Sequence, residues 1–178
     1  EVIDYIYDFA NRYDLRVTIK DNNSKAKDYC LRRTSQSTNP FRQELEYRNL
    51  LGNKYIPTDY IFTDRKSRLE FLAGIIDSDG SYDSRKGNFE IAQKKPEIVA
   101  AITYIARSCG LKVTVSEKII NKETYYRILI LSGCYEIPTK IARKICIKTT
   151  TLQKNPLECR FDVQYIGKGK YYGFTLEG

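Results

Sequence analysis

The sequence predicts an α+β protein with antiparallel sheets, built from a repeated unit of order αββαββα whose first copy is incomplete. Three observations lead there. Residues 97–115 (EIVAAITYIARSCGLKVTV) align without gaps on residues 1–19 (EVIDYIYDFANRYDLRVTI), with identical pairs at Glu1/Glu97, Ile6/Ile102, Ala10/Ala106, Leu15/Leu111, Val17/Val113 and Thr18/Thr114. Within each copy the apolar spacing starts helical, as at Val2, Ile6, Phe9 and Ala10, and then alternates as a strand does. Short polar turns at Lys86-Gly87 and Asn121-Lys122 separate apolar runs and read as hairpins.

Taken in order, the first copy offers a helix over Val2–Tyr13, strands at Leu15–Lys20 and Asp28–Arg33, and a helix from Pro40 to Leu51 capped by Asn39. The second copy is complete. A charged, helix-favouring run leads into a helix from Asp64 to Asp77, followed by a hairpin of Ser81–Arg85 and Asn88–Lys94. Pro96-Glu97 opens the next helix, because proline suits the first helical turn. A second hairpin pairs Leu111–Ile119 with Tyr125–Leu131, and a last helix is expected from Tyr135 to Ile145. The chain thus starts mid-repeat, and a matching helix and hairpin are expected ahead of Glu1. The expected divisions are 1–62 for the remainder of the first unit, 63–150 for the second unit and 151–178 for a tail.

Composition narrows the chemistry. The 178 residues, 42% of them hydrophobic, suffice for a core. There is no apolar run long enough to span a membrane and no signal-peptide pattern. Thirty Lys and Arg against 22 Asp and Glu give a net charge of +8, which favours a polyanionic partner. Five cysteines (Cys30, Cys109, Cys134, Cys146, Cys159) without a Cys-x-x-Cys spacing read as reduced thiols of an intracellular protein, in cytoplasm or nucleus. Histidine is absent, which removes Ser-His and Cys-His nucleophilic catalysis. Catalysis in this chain must use carboxylates, lysines and a hard metal.

Phe71–Gly80 reads FLAGIIDSDG. Its small apolar half, with Ala73 and Gly74, suits a close helix crossing. Its second half brings Asp77 and Asp79 to the helix C-terminus, with Gly80 as terminator. An acid there meets the negative end of the helix dipole, so a cation is expected beside it. An isolated Asp-Ser-Asp-Gly would read as an ordinary capped turn, and the downstream acids of a calcium loop are missing where Phe89 and Ile91 stand.

The whole decapeptide resembles the signature of the LAGLIDADG homing endonucleases, matching at Leu72, Ala73, Gly74, Ile76, Asp77, Asp79 and Gly80 and departing at Ile75 and Ser78. The resemblance implies a pseudo-symmetric pair of αββαββα units in one chain, a homodimer being the lesser alternative, with motif helices packed together and sheets saddling double-stranded DNA. It implies Asp79 as the catalytic acid and metal ligand, Gly80 as a backbone ligand, Mg²⁺ as the ion with Mn²⁺ able to substitute, and Asp77 as a support of the helix end. Gly52-Asn53-Lys54-Tyr55-Ile56-Pro57 is similar to a Lys-x-Ile-Pro segment of intein-borne members, which makes Lys54 the first catalytic lysine. Lys144 is the expected second, with Lys148 close behind. Residues 169–178 (GKYYGFTLEG) are similar to the start of an intein C-terminal splicing block.

DNA contacts are expected from the strands. Alternation in 112–118 buries the valines and leaves Lys112, Thr114, Ser116 and Lys118 on one face; Arg16, Thr18 and Lys20 repeat the pattern, with Arg32 beside them. Arg85, Lys86, Asn88, Glu90, Lys94, Arg127 and Lys148 extend the set. Three readings stay open: a site-specific endonuclease, a non-catalytic DNA- or RNA-binding relative such as a maturase, and a structural insertion that has lost activity.

Overall fold

The computed structural model describes residues 2–21, 27–34, 39–148, 158, 161–170 and 172–175. Among these, five α-helices and six strands follow one another as α1 (Val2–Arg12), β1 (Leu15–Lys20), β2 (Asp28–Arg33), α2 (Pro40–Tyr47), α3 (Thr58–Ile61), α4 (Arg65–Asp79), β3 (Gly80–Asp83), β4 (Asn88–Gln93), α5 (Pro96–Ser108), β5 (Lys112–Ile120) and β6 (Glu123–Ser132). Both sheets are antiparallel: β1 pairs with β2, and the larger sheet has the order β3-β4-β6-β5. The fold class is therefore α+β, as the periodicities require.

The repeated segments take the same shape for the same reason. Each must turn sharply from helix into strand, and the residue at the corner has a left-handed backbone in both copies. It is Gly110 (φ 82°) in one and the equivalent Asp14 (φ 50°) in the other. Asp14 tolerates the position with outside help, since the Thr34 hydroxyl donates to its carbonyl and carboxylate oxygens at 2.9 and 2.8 Å. The long hairpin turns where expected. Asn121 and Lys122 both have positive φ between the paired Ile120 and Glu123, the geometry that matches strand twist in a two-residue loop.

The core lies between the inner face of the four-stranded sheet and helices α4 and α5. Leu72, Ile76, Phe89, Ile91, Ile102, Ile105, Ile128 and Ile130 are fully buried there. Helix α4 starts where Asp64 accepts the Ser67 amide at 3.0 Å and the Ser67 hydroxyl at 2.6 Å. No helix among the described residues is long and apolar enough to cross a membrane.

Four expectations need correction. The helix expected over Tyr135–Ile145 is absent; short 3₁₀ turns at Cys134–Glu136 and Ala142–Lys144 flank an extended stretch. Pro138 explains this: it lacks an N–H and forces the preceding Ile137 out of helical geometry (φ −83°, ψ 115°). Helix α2 stops at Tyr47 rather than Leu51, because Asn49 takes a left-handed conformation and the Leu50 amide closes back on the Leu45 carbonyl at 2.7 Å. The short helix α3 had no periodic signal. Val115 is not buried but 39% exposed, on a strand at the sheet edge that α5 covers only in part. Of the tail, residues 161–170 and 172–175 form neither helix nor strand, while 149–157, 159–160, Tyr171 and 176–178 lie outside the described residues.

The cap at Asn39 is as expected, its side-chain oxygen accepting the amides of Phe41 and Arg42 at 3.1 and 3.2 Å. Asn39→Ala is expected to cost about 1 kcal/mol of stability. A denaturant midpoint unchanged with unchanged slope would show that the cap carries nothing.

Candidate functional site

Asp79 is the last residue of α4, and Gly80 begins β3 without an intervening loop. Gly80 is extended (φ −88°, ψ 164°), so glycine is not needed for a left-handed turn. It is needed for space. A Cβ there would lie 2.8 Å from the Ile76 Cα and 3.0 Å from the Ile76 carbonyl oxygen. The chain thus leaves the helix directly into the sheet edge and holds the Asp79 carboxylate at their junction.

Lys54 meets it there. Its Nζ lies 3.4 Å from Asp79 Oδ2, with the two side chains 69% and 49% exposed. An exposed pair at this distance contributes little to stability, so its meaning is proximity and access. The loop that brings Lys54 across is held from both sides. Lys95 Nζ donates to the Lys54 carbonyl at 3.0 Å. Further back, the Tyr55 hydroxyl donates to the Arg48 carbonyl, and the Arg48 guanidinium sits between Glu44 and Asp59 and 5.3 Å over the Tyr60 ring. Its hydrogen bond to Asp59 holds that carboxyl below the usual range. Sequence reasoning missed Arg48 and Lys95; neither stands in a pattern that marks a loop anchor.

Asp77 and Lys144 lie on the inner side of the same helix end. The Asp77 carboxylate accepts the backbone amides of Lys140 at 2.8 Å and Ile141 at 3.3 Å. It supports the helix end as expected, through a distant segment rather than locally. Lys144 is only 2% exposed, and its Nζ donates to the carbonyls of Ile76 at 2.7 Å and Asp77 at 2.8 Å. Burial, with help from Arg143, pushes its pKa below the ordinary lysine value, while Asp77 and Asp79 oppose the shift. The cation expected at the negative end of the α4 dipole is thus supplied by the protein itself.

Metal fit follows from the donor set. Among the described residues no group of three or more His, Cys, Asp or Glu converges on a point. Asp77 already accepts two amides, which leaves Asp79 as the accessible carboxylate, with the backbone of Gly80 next to it. One carboxylate with a backbone oxygen suits an ion that keeps its waters and shares a phosphate, as Mg²⁺ does, and not a closed protein cage.

The expected nucleic-acid face is distributed and mixed in charge. On β1, Arg16, Thr18 and Lys20 share one face, Arg16 pairs in register with Arg32, and Arg32 Nε donates to the Thr18 hydroxyl at 3.3 Å. On the larger sheet, the outer face carries Thr114, Ser116 and Lys118, with Arg127 opposite Ser116 and Ala92. Glu90 holds Arg127 at 2.9 Å, Glu123 holds Lys94 at 2.6 Å, and Asp83 lies 3.8 Å from Arg85 and 3.7 Å from Lys86. Asn88 pairs in register with Asp83. Lys112 departs from the expected alternation, since the register shifts between it and Val113; its Nζ donates to the Glu158 carbonyl at 3.1 Å. Lys148 lies 5.2 Å over the Tyr135 ring.

Residues 55–140 match the family model of homing endonucleases, and the match runs from the Lys54 loop through α4 to the segment that Asp77 binds. A stretch of 75 residues is 29% identical to part of the large A-type ATP synthase chain of Pyrococcus abyssi (strain GE5 / Orsay) that bears the same letter as its enzyme type. That stretch is 42% of this chain and 7% of the relative's length. The α+β fold and the family match together support a nuclease of the homing endonuclease class over this segment, a class that binds DNA.

Proposed function

We propose that this chain is the second part of a two-motif LAGLIDADG endonuclease carried by an intein, and that the whole protein cuts double-stranded DNA at a long site. The observation that carries the reading is the meeting of Lys54 with Asp79 at the end of α4, across 25 positions of sequence. In the proposed division, residues 1–62 complete a first unit, 63–150 form the second, and 151–178 lead toward a splicing region. The small match within a much longer ATP synthase chain supports an element inserted in a host protein.

The proposed reaction is hydrolysis of a phosphodiester. Asp79 and the Gly80 carbonyl would hold Mg²⁺, or Mn²⁺ in its place, which when bound stabilises charge on the leaving oxygen and acidifies water. Lys54 is exposed beside that carboxylate, where its ammonium offsets negative charge developing on the phosphate. With histidine absent, the proton of the attacking water passes to solvent. The outer sheet face supplies phosphate contacts from lysines and base contacts from Arg127 and Ser116. Because Arg127 is already oriented by Glu90, it can present its fork without first losing rotamer freedom.

The test is cleavage of a randomised duplex library by the full-length protein with Mg²⁺, against Ca²⁺ and chelator controls. A defined cut that needs Mg²⁺ or Mn²⁺ is expected. Lys54→Met should slow it by about 10- to 100-fold while DNA retention in Ca²⁺ changes little. Cleavage that proceeds in chelator, or binding restricted to RNA, would defeat the reading.

A further inference from the structure

We propose that Asp77 and Lys144 form a reciprocal clamp that positions Asp79, and that Lys144 acts through the backbone of α4 rather than by touching substrate. The inference rests on the nuclease reading above and assigns Lys144 a different part within it.

The geometry is a two-way tie between the end of α4 and residues 139–144. In one direction, the Asp77 carboxylate takes the amides of Lys140 and Ile141. In the other, the Lys144 ammonium gives two hydrogen bonds to the carbonyls of Ile76 and Asp77. The Thr139 hydroxyl closes the loop on itself by donating to the Lys144 carbonyl at 2.9 Å. Each partner satisfies groups that would otherwise be orphaned. Pro138 prevents the 139–144 segment from forming a helix that would use its own amides, and the last carbonyls of α4 lose helical partners when the chain turns into β3.

The clamp bears directly on Asp79. The Asp77 carbonyl belongs to the peptide that leads into Ser78, so fixing its direction fixes the path of the next two residues. Ser78 is held from the other side, its hydroxyl donating to the Gly74 carbonyl at 3.0 Å and the Ile75 carbonyl at 3.1 Å. The ammonium also offsets the helix dipole that would otherwise oppose a carboxylate at this end. The charged groups facing it are Arg143, Asp77 and Asp79. Lys144 is 2% exposed, whereas the Lys54 side chain is open to solvent beside the same carboxylate. A group that touches a phosphate needs that access. Lys54 has it.

A positioning residue and a substrate-contacting lysine differ in what their loss does. Removing an outer partner of a metal-ligating side chain weakens metal affinity or activity by about 10- to 100-fold. The full-length protein and its Lys144→Met and Asp77→Asn variants are compared in three measurements. Reductive methylation read by mass spectrometry should modify Lys54 and spare Lys144 in the unmutated protein. Backbone hydrogen exchange at Lys140 and Ile141 should accelerate by about tenfold or more in both variants. In Lys144→Met the Mn²⁺ midpoint for cleavage should rise by about tenfold, with turnover largely recovered at saturating Mn²⁺. Should Lys144→Met fail to fold by circular dichroism, Asp77→Asn, which keeps an acceptor oxygen, carries the same exchange and metal measurements. Labelling of Lys144 as fast as Lys54 would overturn the clamp. So would turnover lost at saturating Mn²⁺ with metal midpoint and amide protection unchanged. If the unmutated protein cuts no DNA, the nuclease reading fails while labelling and exchange still decide the clamp.

Discussion

Asp79→Asn is expected to lower divalent-metal-dependent DNA cleavage by about 10³-fold or more, equivalent to about 4 kcal/mol of transition-state stabilisation. The amide keeps the size of the side chain and one oxygen but removes the charge that would hold a hard cation. Nothing in the packing depends on that charge, because Asp79 is half exposed and its described partner is the equally open Lys54. Folding should therefore be preserved, with thermal midpoint within a few degrees of the unmutated protein. Affinity for duplex DNA measured in Ca²⁺ should hold or rise slightly, since a negative charge facing phosphate has gone. Asp77→Asn offers a contrast on the same helix, because its effect should come with loss of amide protection at Lys140 and Ile141 rather than by removal of an accessible ligand. A full rate of cleavage by Asp79→Asn would end the assignment of the reacting site.

The features legible in the sequence were those that depend on local periodicity. β1 and β2 occupy the ranges expected, because alternation such as Arg16-Val17-Thr18-Ile19 leaves one register that covers the apolar set. The start of α4 was readable from Asp64, and the Asn121-Lys122 turn from its dipeptide. The pairing of Lys54 with Asp79 came from family resemblance, since no rule of spacing brings residues of a loop and a helix end together. What the sequence hid was long-range. Lys144 belongs to a stretch with helical apolar spacing, yet one proline overrides that spacing and lets the stretch wrap the end of α4 instead. Asp77 has the position of a local cap and yet holds amides more than sixty residues away. The basic strand face was visible in composition, but its partner acids Asp83 and Glu123 became visible only once register placed them beside Arg85, Lys86 and Lys94.

Gly80→Ala should be the most damaging change of a single methyl group near the site. A left-handed backbone, the usual reason for glycine at a helix end, does not apply, because φ is −88°. Close contact does. The new Cβ would fall 2.8 Å from the Ile76 Cα and 3.0 Å from its carbonyl oxygen, both backbone atoms of a residue with no exposure. Such an overlap cannot be relieved by a rotamer change, so the helix end or β3 must shift, at about 1–3 kcal/mol of stability. That shift moves the junction holding Asp79, and a displacement of about 1 Å can cost on the order of 10²-fold in rate. The same substitution at Gly74 is the control on the same helix. A Cβ there meets nothing within 4 Å, and the gain in helix propensity should raise this chain's stability by up to about 1 kcal/mol. Equal stability and equal cleavage in Gly80→Ala and the unmutated protein would mean that the helix-to-strand junction is looser than its geometry requires. In that case close packing of Gly80 on Ile76 could not be what fixes the position of Asp79.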